Sequence, residues 1–352
     1  MPAPTAPYWA PYANVHEKTE GPGDARPTAL QIIEDNQKFF PALSKKVILI
    51  TGCSSGIGVE TARALYETGA KLYLTARDIP KLEKVIDEIV TNAKHKDGPR
   101  PIPLEIHLDK LSSVKKAAEE FKLKESQLNI LINNAGIMAC PYAKTEDGFE
   151  LQIGTNHFAH FLLFQLLKPT LLASAKASDT PSRVVSLSSA GHRFGPVRLH
   201  DINFEERNSY AKWPAYGSSK SANIWMSNSI NRHYGSQGIV GLSVHPGGIM
   251  TELIRHLTEE DIALFGEGGI DSMMYFYKSP PQGAATTVLA AVADRFDDPK
   301  NGGVYLADCQ IDAPVKSDQE SWAFGFAPHA YDDEKEEEFW RLSFKLLGLA
   351  ED

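Results

Sequence analysis

The sequence predicts a single α/β domain built on a doubly wound parallel sheet. Two observations carry that reading: short apolar runs rich in β-branched residues alternate with longer helix-like stretches, and a glycine-rich turn joins the first such run to the first helix. Strands separated by helices pair in parallel, because each helix returns the chain across the sheet before the next strand begins. In order, residues 46–51 (KVILIT) read as a strand, 57–68 as a helix, 71–76 (KLYLTA) as a strand and 80–94 as a helix. A third strand is expected over 102–108, then a helix over 112–121 with Ser112 as its candidate N-cap, and a fourth strand over 128–133 (LNILIN). The apolar stretch 156–173 reads as a buried helix, 183–187 (RVVSL) as the fifth strand, and another helix starts near Tyr216. Residues 240–245 and 303–306 (GVYL) complete a parallel seven-stranded sheet with helices on both faces, and no internal repeat is visible.

Ahead of this body, residues 1–40 form a Pro-rich arm that closes with a short amphipathic helix over 29–40. The arm has little to bury, which suits a disordered leader. Its Tyr8, Trp9 and Tyr12 suit the other reading, an arm packed on the body or on a partner subunit. Residues 41–352 are then one nucleotide-binding domain.

Composition narrows the function. With 36 Lys and Arg against 45 Asp and Glu the formal net charge is −9. No nucleic-acid partner is expected, since that role needs a basic surface to neutralise phosphates. Cys53, Cys140 and Cys309 are too few and too far apart for a disulfide framework or a CxxC metal pair, which points to a reducing compartment. The first residues have neither a basic nor an apolar signal region, and no run approaches 18 apolar residues, so a cytoplasmic protein without a membrane span is expected.

The turn after the first strand reads Thr51-Gly52-Cys53-Ser54-Ser55-Gly56-Ile57-Gly58 and opens directly into a helix. Glycines let the backbone turn sharply and approach a pyrophosphate, and the helix N-terminus offers it free N–H groups. Gly52, Ser54, Ser55, Gly56, Ile57 and Gly58 are therefore candidate dinucleotide ligands on a Rossmann fold. At the tip of the second strand stands Arg77, followed by Asp78. A carboxylate there would hold the ribose 2′-hydroxyl of NAD, whereas a guanidinium matches the 2′-phosphate of NADP. The order favours NADP(H), with NAD(H) less favoured.

These motifs, with Asn133-Asn134-Ala135-Gly136, Tyr216-Gly217-Ser218-Ser219-Lys220 and the stretch from Pro246 to Thr251, resemble those of the short-chain dehydrogenase/reductase family in order and in register. Within it, NNAGIMACPYAKTEDGFE, GTNHFAHFLL and FWRLSFKLLGL are similar to the retinol dehydrogenase and WW-domain oxidoreductase branch. The chain departs from that branch in having a polar Pro-rich arm where membrane-bound members carry an anchor, and in having no WW domain. The resemblance implies that Asn133, Asn134, Ala135 and Gly136 shape the wall beside the adenosine, that Asp109 binds adenine, and that Pro246, Gly247, Ile249 and Thr251 meet the nicotinamide end. It also implies pairing as a homodimer or homotetramer through the two long helices that flank the active site.

Tyr216 and Lys220 lie four apart on a helix and so share a face. A phenol is a weak base at neutral pH, and a neighbouring ammonium should lower its pKa. Tyr216 then exchanges a proton with an alcohol or carbonyl oxygen. The family pattern selects Ser189 over Ser188 to hold that oxygen, gives Lys220 the nicotinamide ribose, and makes Asn156 the fourth member. His157, His160 and His192 lack a convergent third ligand, so no metal is expected, and Cys53 reads as a small buried filler. Residues 250–282 correspond to the family's substrate lid. Met273, Met274, Tyr275, Phe276 and Tyr277 suit a lipophilic alcohol or carbonyl substrate, and Gly266, Gly268 and Gly269 suit lid motion; packing on the sheet alone would explain the aromatics too. The expected activity is hydride transfer between NADP(H) and such a substrate. The alternatives are a biosynthetic ketoreductase of secondary metabolites, and a non-catalytic cofactor-sensing scaffold; the second predicts a damaged tetrad.

Overall fold

The computed structural model describes residues 8–37, 40–95, 98–263, 269–315 and 325–351. The strands are β1 (Val47–Ile50), β2 (Lys71–Ala76), β3 (Ile102–Glu105), β4 (Ile130–Asn133), β5 (Ser182–Leu187), β6 (Ile239–His245), β7 (Val304–Ala307) and β8 (Gln310–Ile311). They form one sheet in the order β3-β2-β1-β4-β5-β6-β7-β8, and every pairing but the last is parallel. The expected parallel seven-stranded sheet thus gains an eighth, antiparallel strand. Its two residues carry no readable periodicity. The hairpin turns on Asp308 and Cys309, both left-handed at φ 49° and 58°, without the Asn-Gly pair that normally announces such a turn.

The main helices are α1 (Ala29–Asp35), α2 (Ile57–Tyr66), α3 (Ile79–Asn92), α4 (Leu111–Lys124), α5 (Ala159–Lys176), α6 (Lys212–Tyr234), α7 (Ala285–Val292) and α8 (Asp333–Leu347). Strands β1, β4, β5 and β6 are buried along their whole length, because helices cover both faces. One core joins α1, α2, α3 and α7 to the sheet; the other joins α4, α5, α6 and α8. Strand order reverses between β1 and β4, and such a switch point opens a crevice at the carboxyl ends of the strands.

Local rules miss two boundaries. Ser112 lies inside α4, whose first amide, that of Leu111, donates instead to Asp147 Oδ2 at 2.8 Å. That cap is remote in sequence and leaves no local trace. Strand β3 ends at Glu105 rather than Leu108. A one-turn helix (Leu151–Ile153) and a π-helical turn (Gly154–Phe158) lead into α5. Together Leu151–Lys176 would suffice by length and composition to cross a membrane, against the reading of the sequence, yet Phe161, Leu163, Phe164 and Leu167 are fully buried inside the fold.

The arm lies on the body. Trp9 O accepts from Ile311 N at 2.9 Å and the Trp9 ring packs edge-on to Phe296 at 5.5 Å, while within the arm Tyr12 donates to Asp35 at 2.8 Å. Ala29, Ile32 and Ile33 of α1 join the same core as α7.

Candidate active site

The crevice is a cleft of about 930 Å³. Its first wall is the turn after β1, where Gly52, Ser54, Ser55, Gly56, Ile57 and Gly58 all line the surface. The turn packs against the loop after β4: Thr51 Oγ1 accepts from the amides of Asn134 and Ala135 at 2.9 and 3.0 Å, and it also meets His160 Nε2 at 2.9 Å. Thr51 therefore holds two loops of the cleft together, a role that sequence reading missed because Thr51 stands only as the last residue of a strand. Asn134, Ala135 and Gly136 line the cleft; Asn133 does not. Asn133 ends β4 with its side chain buried and unpaired, behind the wall rather than on it. Asn134 Oδ1 is buried without a partner, an acceptor that a bound nucleotide could satisfy.

Arg77 and Asp78 follow β2, and both line the cleft from exposed positions. The Asp78 carboxylate accepts from Lys81 N at 2.9 Å and caps α3. Arg77 forms no ion pair among the described residues. Nearby, Lys81 pairs with Glu252 at 3.3 Å across the mouth. Asp109 lines the cleft beyond β3, and Pro246, Gly247, Ile249 and Thr251 line it beyond β6.

Tyr216 and Lys220 enter from α6, both almost fully buried. Ser189, just past β5, lines the cleft with Tyr216, and both flank Gly191, while Ser188 turns away and donates to Lys220 O at 2.8 Å. The tyrosine ring lies so close to Gly191 that a Cβ there would stand 2.6 Å from Tyr216 Cε1. Gly191 is thus needed for the ring's position, and no motif had marked it.

The electrostatics depart from the expectation of an ammonium-lowered phenol. Burial pushes Tyr216 up to about 12, against a smaller lowering by Ser189. Lys220 Nζ stands 5.7 Å from the ring centroid and donates to Leu187 O at 3.0 Å, and burial brings it down to about 8. Desolvation outweighs charge attraction, because both groups sit inside the protein and the ammonium faces a carbonyl.

Asn156 lies behind the cleft, fully buried in the π-helical turn. Its Oδ1 accepts from Ile137 N at 2.8 Å and its Nδ2 donates to Ile137 O and Ser219 Oγ, each at 2.9 Å. It ties the loop after β4 to α6, beside Lys220: a Cβ on Gly136 would lie 3.2 Å from Asn156 Oδ1 and 3.3 Å from Lys220 Nζ.

The segment after β6 supplies Met273, Phe276 and Tyr277 to the cleft, whereas Tyr275 is half-exposed and stacks on Phe276 at 4.1 Å. Met274 does not line it. Gly269 opens a short turn, and Gly266 and Gly268 fall outside the described residues. Sequence reading also missed a buried ion pair, Lys278 with Asp308 at 2.6 Å, both on the cleft wall. Lys278 N donates to Gly248 O at 2.8 Å, which stitches this segment to the loop after β6.

The three histidines hold the scaffold. His160 bonds Thr51 and Asn156 O, His192 Nε2 accepts from Ala327 N at 2.9 Å, and His157 packs between Phe158, Phe161 and Phe339. Burial holds all three below the usual histidine range. No group of three His, Cys, Asp or Glu able to hold a metal occurs among the described residues. Cys53 is fully buried beneath the glycine turn, and burial pushes its thiol up to about 12.

Comparison with known proteins places this geometry. Residues 46–199 match the family model for short chain dehydrogenases. The short-chain dehydrogenase/reductase prx1 of Penicillium roqueforti is 46% identical over 340 residues, 97% of this chain and 96% of its own. Human retinol dehydrogenase 12 is 36% identical over 309 residues, 87% of this chain and 88% of its own. Among solved structures, an uncharacterised protein from Mycobacterium paratuberculosis superposes with a TM-score of 0.63 at 31% identity, covering 87% of this chain and 94% of that one.

Proposed function

The chain belongs to the short-chain dehydrogenase/reductase family, and on that premise we propose that it is an NADP(H)-dependent oxidoreductase that moves a hydride between nicotinamide and a lipophilic alcohol or carbonyl compound. One observation carries the reading: Ser189, Tyr216 and Lys220 meet on one wall of a cleft whose far end is a glycine turn at a helix N-terminus. The residues fit a dinucleotide. The turn admits a phosphate close to its backbone, and the orphaned Asn134 Oδ1 offers an acceptor to a donor of the nucleotide such as a ribose hydroxyl. Gly52, Ser54, Ser55, Gly56 and Ile57 would hold the pyrophosphate, Asp109 the adenine, and Lys220 the ribose next to the nicotinamide. When bound, the nicotinamide supplies or accepts the hydride. Ser189 fixes the substrate oxygen, and Tyr216 gives that oxygen a proton in reduction or takes one in oxidation.

Cofactor choice rests on division of labour at the tip of β2. The Asp78 carboxylate is engaged in capping α3, and Glu252 in pairing with Lys81, so Arg77 is the group there able to meet a 2′-phosphate. Titration of the purified protein with NADPH and NADH, followed by nicotinamide fluorescence, tests this. We expect NADPH to bind at least about 30-fold more tightly, roughly 2 kcal/mol, and Arg77→Ala to remove most of that margin. Equal or tighter binding of NADH would overturn the NADP(H) assignment and turn the search to NAD-driven oxidation.

Of the two long helices through which the family pairs, α6 is covered here by the chain itself. Residues Ala215–Ile230 of α6 are buried without interruption, and Phe339, Trp340 and Phe344 of α8 pack onto Phe158, Phe161, Phe164 and Trp225. A helix enclosed on all sides has no face left for a second copy. We therefore expect a monomer of 38.7 kDa by light scattering after gel filtration, at concentrations where paired relatives stay associated. A dimer that dissociates on substitution of α6 residues would reverse this reading.

A further inference from the structure

Arg26 stands in a Pro-, Gly- and Ala-rich segment that gives no reason to bury a cation, yet its side chain is 3% exposed. It pairs with Asp24 at 2.8 Å, whose side chain is 4% exposed. Its Nη1 donates to Phe276 O at 2.9 Å, and its Nη2 donates to Tyr277 O at 2.6 Å and Gly21 O at 3.2 Å. A buried guanidinium is tolerable only when its charge and its N–H groups are largely met, and here one carboxylate and three carbonyls meet four of its five N–H groups. The backbone around it is fastened as well. Gly23 N donates to Gln282 Oε1, and Gln282 Nε2 donates back to Asp24 O and Arg26 O. Gly21 packs so close that a Cβ would stand 3.1 Å from Met274 O.

The carbonyls that Arg26 grips belong to the residues whose side chains face the cleft. Met273, Phe276 and Tyr277 line it, and Thr19 and Arg26 line it beside them. The same covering segment has a second anchor at its other end. Asp261 accepts from Lys212 Nζ at 2.5 Å and from Trp213 Nε1 at 2.9 Å, at the start of the helix that carries Tyr216. The cover is thus held by α6 on one side and by the arm on the other.

We propose that Arg26 is a positioning residue that sets the shape of the substrate end of the cleft, and that residues 19–26 of the arm form part of its wall and determine which lipophilic carbonyl compounds it accepts. The proposal rests on the oxidoreductase reading above. Arg26 acts through Phe276 and Tyr277: its fork of donors holds two successive carbonyls, so the aromatic side chains they carry are fixed before an apolar substrate arrives. Lysine, a single point charge, cannot span the two carbonyls and Asp24 together.

The experiment compares the full-length protein with Arg26→Met, Arg26→Lys and Thr19→Trp. It measures amide hydrogen exchange over 271–278, NADPH affinity, and NADPH-dependent reduction of a 2-alkanone series from butanone to 2-dodecanone plus 2-decalone. In Arg26→Met, exchange at 273–278 should quicken at least about tenfold, and the loss of activity on the long ketones should fall on KM rather than kcat. NADPH affinity should stay within about threefold, and Arg26→Lys should recover only part of the loss. Thr19→Trp leaves the Arg26 contacts in place and should shift preference towards the shorter ketones, so it decides the matter if Arg26→Met does not fold. Unchanged exchange at 273–278 in Arg26→Met overturns the proposal, and so does unchanged chain-length preference in either foldable variant. If the wild-type protein binds NADPH but reduces none of these ketones, the reading of the reaction falls, while the exchange measurement still decides whether Arg26 holds the wall.

Discussion

Tyr216→Phe should lower carbonyl reduction by about 10²–10⁴-fold, the usual contribution of a positioned acid, while NADPH still binds. The substitution removes only an oxygen. The ring keeps its place, because that place is set by the close approach to Gly191 and by burial in α6. What disappears is the proton donor beside Ser189 on the cleft wall. The pH profile sharpens the test. With the phenol pushed up to about 12, Tyr216 stays protonated through the neutral range and is ready to act as an acid. Lys220 keeps its ammonium only below about 8, so its hydrogen bond to Leu187 O weakens above that pH. Reduction should therefore hold level from mildly acidic pH to about 8 and decline above it. Oxidation needs the phenolate and should rise about tenfold per pH unit through the same range. A reduction rate that climbs with pH through neutrality, or a Tyr216→Phe variant with near wild-type turnover, would remove Tyr216 from the proton transfer. Loss of NADPH binding in that variant would point instead to a scaffold role for the ring.

Much of this architecture is legible because alternation and turn chemistry are local. Strands β1, β4, β5 and β6 appear as β-branched runs and β2 as a short apolar one, and the glycine turn announces α2 directly. The chemistry of Tyr216 and Lys220 also survives local reading, since four-residue spacing on a helix is enough to place them together. What the sequence hides is carried by distant partners. Asp147 caps α4, Arg26 grips carbonyls some 250 positions away, and Lys278 pairs with Asp308 on the cleft wall. None of these residues belongs to a periodic pattern, and each gains its meaning only when the fold brings its partner close. The Tyr216 phenol departs from what its spacing to Lys220 predicts for a related reason. Spacing shows that an ammonium is near, but burial decides which charge can exist, and burial is a property of the whole fold. Asn133 repeats the lesson, since a motif places it beside the cleft while the strand's alternation turns its side chain inward.

Gly58→Ala should weaken NADPH binding at least about 100-fold, roughly 2.7 kcal/mol, although it adds a single methyl group. A Cβ at Gly58 would stand 2.3 Å from Gly52 O and 2.5 Å from Asn134 Nδ2. Neither can yield cheaply. Gly52 O is backbone of the turn itself, and Asn134 Nδ2 is already fixed by donating to Thr51 O at 2.8 Å and Gly52 O at 3.1 Å. The clash must therefore be relieved by moving α2 away from the turn, or by moving the turn away from the loop after β4. Either shift displaces the N-terminal amides of α2 from the position where they would meet the pyrophosphate. Overpacking of this kind also costs about 1–3 kcal/mol of stability, so thermal unfolding should be followed alongside binding. Gly235→Ala serves as the control: that glycine has right-handed helical angles at φ −56° and ψ −46°, and its nearest neighbour would lie 3.6 Å away, an ordinary contact. It should leave NADPH affinity unchanged. If Gly58→Ala bound NADPH within about threefold of the wild type, the close approach of turn and helix would have no part in holding the nucleotide, and the phosphate site would have to be sought elsewhere along the cleft.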